Sequence, residues 1–125
     1  MKKIFKNYEL VAMQQSLKPL LQLRDKLGFI AARNTRIIEN ALTEYENFKN
    51  DLIKKYGEPD FDKNGNKLTT ISIKVSSPNF TDFCNELESL NNIEQEVDLM
   101  TTKYADAIGV LSGEEMLGVD WMLED

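Results

Sequence analysis

Asp60, Asp62, Asn64 and Gly65 stand in the spacing D-x-D-x-N-G within the stretch GEPDFDKNGNK, residues 57–67. Side-chain oxygens at alternate positions followed by glycine open the calcium loop of an EF-hand, where they ligate one hard cation and the glycine permits a sharp turn. Such a loop requires a bidentate glutamate at its twelfth position. Counted from Asp60 that position is Ile71, and Lys67 adds a positive charge to the cage. Asp, Asn and Gly are also what tight turns with positive φ select. The stretch is therefore expected to turn the chain, and neither a metal nor another cofactor is expected.

The remaining chemistry is bounded by what the chain lacks. It contains no histidine, which removes imidazole acid/base catalysis, histidine-bearing triads and histidine-bearing zinc sites. The one cysteine, Cys84, falls on the apolar face of an expected helix and reads as a buried structural thiol. No phosphate-binding glycine loop is present, and no pair of carboxylates is singled out. The expectation is a protein that is not an enzyme.

Charge is what the chain offers instead. Residues 1–55 carry 11 lysines and arginines against 6 acids, whereas residues 56–125 carry 4 against 15. Asp82, Glu86, Glu94, Glu96 and Asp98 lie in a region from Phe80 onward whose single base is Lys103, and with Trp121 they are the candidate partner-binding residues. Two blander uses stand beside these: the acids as a solvated face or as internal partners for basic residues, and Trp121 as a cap on the core. Lys2, Lys3, Lys6, Arg24, Lys26, Arg33 and Arg36 invite a nucleic-acid reading, but the net charge of −6 opposes phosphate binding, and direct nucleic-acid contact is not expected.

The elements that must position these residues follow from periodicity. Ile4 to Val11 alternates and reads as a strand. Met13, Leu17, Leu20, Leu21 and Leu27 recur at helical intervals, with Pro19 either in the first turn of a helix capped by Ser16 or at a kink. After Gly28, an apolar stripe from Ile30 through Ile38, Leu42, Tyr45, Phe48 and Leu52 to Tyr56 predicts a helix over about 29–56. Gly57 is placed to close it as a left-handed residue, with Pro59 barring continuation. The short connection predicts an antiparallel helical hairpin. The run LTTISIKV alternates, with Ile71, Ile73 and Val75 expected to be buried. Ser77-Pro78 then opens a helix to about Leu90 with Phe80, Phe83, Cys84, Leu87 and Leu90 on its apolar face, EQEVDLMTTKY alternates and reads as a short strand near a sheet edge, and Ser112-Gly113-Glu114-Glu115 is a capping box before a short helix.

These readings assemble into one α+β domain over residues 1–125: an amino-terminal strand, a long helical hairpin, a small mixed sheet and two further short helices. A chain of 125 residues, 42% hydrophobic and 29% charged, can bury one core without staples. No apolar stretch suggests a secretory signal or a membrane span, and a lone cysteine suits a reducing cytoplasm.

The segments IFKNYELV, LIKKYGEPDFDKNGN, EQEVDL and SGEEMLGVDWMLED resemble, in kind and order, a family of small uncharacterised phage and prophage proteins of Gram-positive bacteria. The helical hairpin between them matches only in pattern. The resemblance implies phage origin and expression in the cytoplasm of a bacterial host, without an activity. The functional expectation is a non-enzymatic protein that binds a host or phage protein, in one version an antagonist of a host defence or nucleic-acid-handling protein, its carboxylates imitating the phosphates which that target normally binds. The alternative is a structural or assembly component of a virion, oligomeric through the long helix.

Overall fold

A computed structural model describes all 125 residues of the chain, which adopts an α+β fold. Its contacts group into two compact units, one comprising Met1–Thr43 with Glu94–Asp125 and the other Glu44–Ile93.

In the first unit, strand β1 (Lys2–Lys6) ends where the sequence pattern alone extends it to Val11, and helix α1 (Asn7–Leu17) begins. The Glu9 carboxylate accepts from the Lys6 amide at 3.0 Å, satisfying a donor at the helix start. Leu10, Met13, Leu17 and Leu20 are buried at steps of three and four, so the helical period wins over the local β propensity of Tyr8 and Val11. Pro19 is accommodated by neither expected route. The α-helix stops at Leu17, and a 3-10 turn over Lys18–Gln22 carries the proline in its first turn. Ser16 caps nothing; its hydroxyl donates to the Ala12 carbonyl at 3.3 Å.

Helix α2 (Lys26–Tyr56) starts three residues earlier than the stripe suggests, because Asp25 caps it. One carboxylate oxygen of Asp25 accepts from the amides of Leu27 at 3.1 Å and Gly28 at 3.3 Å. Gly28 thus lies inside the first turn. A Cβ on it would stand 2.0 Å from the Leu23 carbonyl oxygen, so glycine is required by the close approach of the incoming chain. Leu27, Ile30, Ala31, Ile38 and Leu42 are buried along one face, with Asn34 among them.

Strand β4 (Glu94–Asp98) pairs antiparallel with β1, Lys2 facing Asp98, Ile4 facing Glu96 and Lys6 facing Glu94. Val97 and Leu99 are buried, as alternation predicts. Strand β5 (Thr102–Lys103) leads into the single turn α4 (Tyr104–Ala107). Helix α5 (Gly113–Gly118) opens with the predicted capping box: the Glu115 amide donates to the Ser112 hydroxyl at 3.1 Å and the Ser112 amide to the Glu115 carboxylate at 2.9 Å. Strand β6 (Leu123–Glu124) then pairs parallel with β5.

The core of this unit is pinned by a buried amide, Asn34, and a half-buried one, Gln95. Asn34 donates through Nδ2 to the Met100 carbonyl at 3.0 Å and accepts from the Met100 amide through Oδ1 at 2.8 Å. Gln95 donates to Asn7 Oδ1 at 2.5 Å and to the Ala41 carbonyl at 2.9 Å. Asn34 thus gives a partner to the backbone of Met100, which belongs to no strand, and Gln95 ties β4 to α1 and α2.

The second unit contains the end of α2, the antiparallel ribbon β2 (Glu58–Phe61) and β3 (Lys67–Ser72), and helix α3 (Phe80–Asn91). Gly57 does not adopt a left-handed conformation. A Cβ there would lie 2.3 Å from the Ile71 side chain, so its smallness, not its freedom, is what the position needs. The expected buried face of the third strand is also not buried: Ile71 is 43% and Val75 78% exposed. Alternation says which side chains share a face of a strand, not whether anything covers that face. Tyr45 is the one buried side chain of this unit, and α3 has none.

Candidate functional site

The D-x-D-x-N-G stretch is a turn between β2 and β3. One oxygen of Asp62 accepts from the amides of Asn64 at 2.9 Å and Asn66 at 2.8 Å, and Gly65 holds φ at +82°. The backbone amide of Asn66, first among several turn donors, holds the Asp62 carboxyl below its usual range. Asp60 accepts from the hydroxyls of Ser72 at 2.5 Å and Thr70 at 2.8 Å, and these lower its pKa as well. The oxygens that would face a cation are turned onto the strand and the turn itself.

The candidate acids divide between the units. Glu94, Glu96 and Asp98 share the exposed face of β4, where Lys6, Ile4 and Lys2 stand directly opposite. Asp98 also accepts from the Met1 amino group at 2.8 Å, which lowers its pKa. Two of the three acids in this row thus stand opposite a lysine in the register of the ribbon. Asp82 and Glu86 lie exposed on α3 in the second unit. Trp121 sits in a 3-10 turn over Asp120–Met122 of the first unit, half-buried, with its Nε1 buried and without a hydrogen-bond partner. Of the amino-terminal bases, Lys26 reaches Asp106 at 3.0 Å.

Cys84 is exposed, not buried. Phe80, Phe83, Leu87 and Leu90 are the half-buried apolar residues of α3, a narrow line stepped by three and four. Cys84 lies one residue off that line, and a helix resting on one neighbour covers too narrow a stripe to enclose it.

That neighbour is the last third of α2, which α3 meets antiparallel. The Tyr45 hydroxyl donates to Asn91 Oδ1 at 2.7 Å, Lys55 meets Glu86 at 3.5 Å, and the Tyr56 and Phe83 rings stand edge to face with centroids 6.4 Å apart. Between the helices runs an open groove of about 610 Å³ with Leu52, Leu90, Phe48 and Ile93 as its apolar lining. Phe48 is 58% and Ile93 51% exposed. Asp51, Lys55, Asn85, Glu86 and Ser89 form the polar rim. The Tyr56 hydroxyl first, and Lys55 second, hold the Glu86 carboxyl below its usual range.

Sequence reasoning placed Phe48, Leu52 and Leu90 in apolar stripes and assigned them to a core. The available signal was the length of α2, whose stripe runs on past the segment that the rest of the chain covers. No protein-family model, curated protein or solved structure matches the chain. No helix is long and apolar enough to cross a membrane.

Proposed function

We propose that this chain is a non-enzymatic protein-binding protein that engages its partner through the groove between α2 and α3. The observation that carries the reading is the contrast in burial between the units. The first holds sixteen of the seventeen buried hydrophobic residues, and the second holds only Tyr45. An amphipathic helix draws its stability from covering its apolar face. A 12-residue helix with no fully buried side chain, lining an apolar groove, is a surface awaiting a partner.

The acidic version of this reading changes its location. Glu94 and Asp98 face lysines, so the row on β4 is a weak imitation of phosphates. Asp82 and Glu86 on α3 keep their place beside the apolar contact. With the phage resemblance, the partner is a host or phage protein met in a bacterial cytoplasm. The second reading, a virion component that assembles through its long helix, draws on the exposed Phe48 of α2.

Capture from infected host cells distinguishes them when three forms are compared: wild type, Ser89→Trp to fill the groove, and Leu117→Ala as a control on exposed α5 in the first unit. A partner retained by wild type and the control but lost by Ser89→Trp is expected. Equal retention by all three overturns the groove as the contact. A chain that light scattering shows to be oligomeric, and monomeric as Ser89→Trp, favours the assembly reading.

A further inference from the structure

Resting on that reading of the groove, we infer that its occupant is an amphipathic α-helix of another protein, carrying lysine or arginine beside its apolar anchors. Three observations converge on this chemistry. The first is the shape of the walls. The groove lies between two antiparallel helices, and Phe48 to Lys55 spans about two turns, roughly 10 Å along α2. A third helix laid along such a pair completes a three-helix layer at the usual spacing of about 8–10 Å and places anchors one turn apart against Phe48, Leu52, Leu90 and Ile93.

The second is the state of the backbone. Both walls are helical, so their amides and carbonyls are already paired along the helices. An extended peptide would bring unpaired backbone groups onto an apolar floor with no sheet edge to meet them. A helix carries its own hydrogen bonds and loses none on docking.

The third is charge. The rim offers one cation, Lys55, and it is engaged by Glu86. Asp51 has no such partner, and Asp82 stands one turn before Glu86 on the same face of α3, a helix with no base in its length, whereas Lys49 and Lys54 of α2 and Glu88 of α3 lie outside the lining. The open side of the groove therefore presents apolar surface beside negative charge, and a basic helix is steered to it while an acidic one is repelled. A second copy of this chain is the poorer fit, because its own α3 would bring further acids to Asp51.

The test uses the full chain and three fluorescein-labelled designed peptides. One is a leucine/lysine amphipathic helix, one is the same helix with glutamate for lysine, and one is a scrambled leucine/lysine sequence without an apolar face. Binding is read by anisotropy for wild type, Ser89→Trp, Phe48→Glu and Asp51→Lys, with thermal unfolding as the check that each variant is folded. The leucine/lysine helix is expected to bind wild type at least about tenfold tighter than the glutamate version and the scramble. Either groove variant should lose that binding by about tenfold or more, and Asp51→Lys should narrow the preference for the basic peptide severalfold. Equal affinity for the basic and acidic helices, both lost in Ser89→Trp, overturns the basic partner while leaving the groove reading intact. Equal affinity for the scramble overturns the helical partner. Binding that neither Ser89→Trp nor Phe48→Glu changes overturns the groove itself, and self-association lost in both variants makes a second copy the occupant.

Discussion

Asn34 offers the sharpest check on how the first unit is held together. Its side chain is fully buried and exchanges two hydrogen bonds with the backbone of Met100, at 3.0 and 2.8 Å. Asn34→Ala removes both bonds and leaves a void. Each intramolecular hydrogen bond is worth about 1 kcal/mol net, and a buried backbone group left without a partner adds about 1–3 kcal/mol. Met100 itself is partly exposed, so water reaches its freed groups and that penalty falls away, leaving the two bonds and the void. The expected loss is about 2–3 kcal/mol, a large share of the roughly 5–15 kcal/mol that holds a typical domain. With a urea slope of about 1–3 kcal/mol per molar, the unfolding midpoint should fall by roughly 0.7–3 M. Asn34→Asp sharpens the test. It keeps the acceptor for the Met100 amide but turns a second oxygen toward the Met100 carbonyl unless the introduced carboxyl is protonated. Burial and that carbonyl raise its folded pKa above the unfolded value. The variant should therefore be close to wild type below the ordinary carboxylate range and lose stability as pH rises through it. A cost below about 0.5 kcal/mol for Asn34→Ala, or a pH-independent cost for Asn34→Asp, would refute the assignment of Asn34 as a buried clamp on Met100.

Two further outcomes follow from the same unit. Gly28→Ala should destabilise by about 1–3 kcal/mol, because the new methyl meets backbone rather than a flexible side chain; an unchanged urea midpoint would show that the Leu23 carbonyl yields freely. Asp106 accepts from the Thr102 hydroxyl at 2.5 Å and from Lys26 at 3.0 Å, and these lower its carboxyl from its ordinary value of 3.8. A depressed carboxyl stabilises the fold above its unfolded pKa and ceases to do so as pH falls through the folded one, so the stability gap between wild type and Asp106→Asn should be present at neutral pH and close in acid.

The parts legible without coordinates were those governed by neighbours in sequence. The capping box at Ser112 and Glu115, the turn at Asp62–Gly65, the strand Glu94–Asp98 and the long amphipathic helix each follow from residues within a few positions of one another. The misread segments were those where two local signals conflict. At Tyr8 and Val11, β propensity competes with the three-and-four spacing of Leu10, Met13 and Leu17, and distant burial resolves it. The cap at Asp25 was within reach, since an acid before an apolar-periodic run is a start signal; the glycine three residues later obscured it.

The candidate site was less legible, because an apolar stripe reports only that a face seeks cover. Phe48 and Leu42 stand in the same stripe of α2, yet one is 58% exposed and the other buried. Nothing local separates them. By itself the sequence determined the α+β class, the long helix, the turn at Asp62–Gly65 and the absence of histidine chemistry, because propensity, capping and composition are properties of short stretches. Tertiary structure alone decided that Lys2 and Lys6 stand opposite Asp98 and Glu94, that Asn34 clamps Met100, and that α3 rests on α2 along one narrow line. Those outcomes depend on which distant segments meet, and packing, not sequence spacing, settles how much of each apolar face is left open.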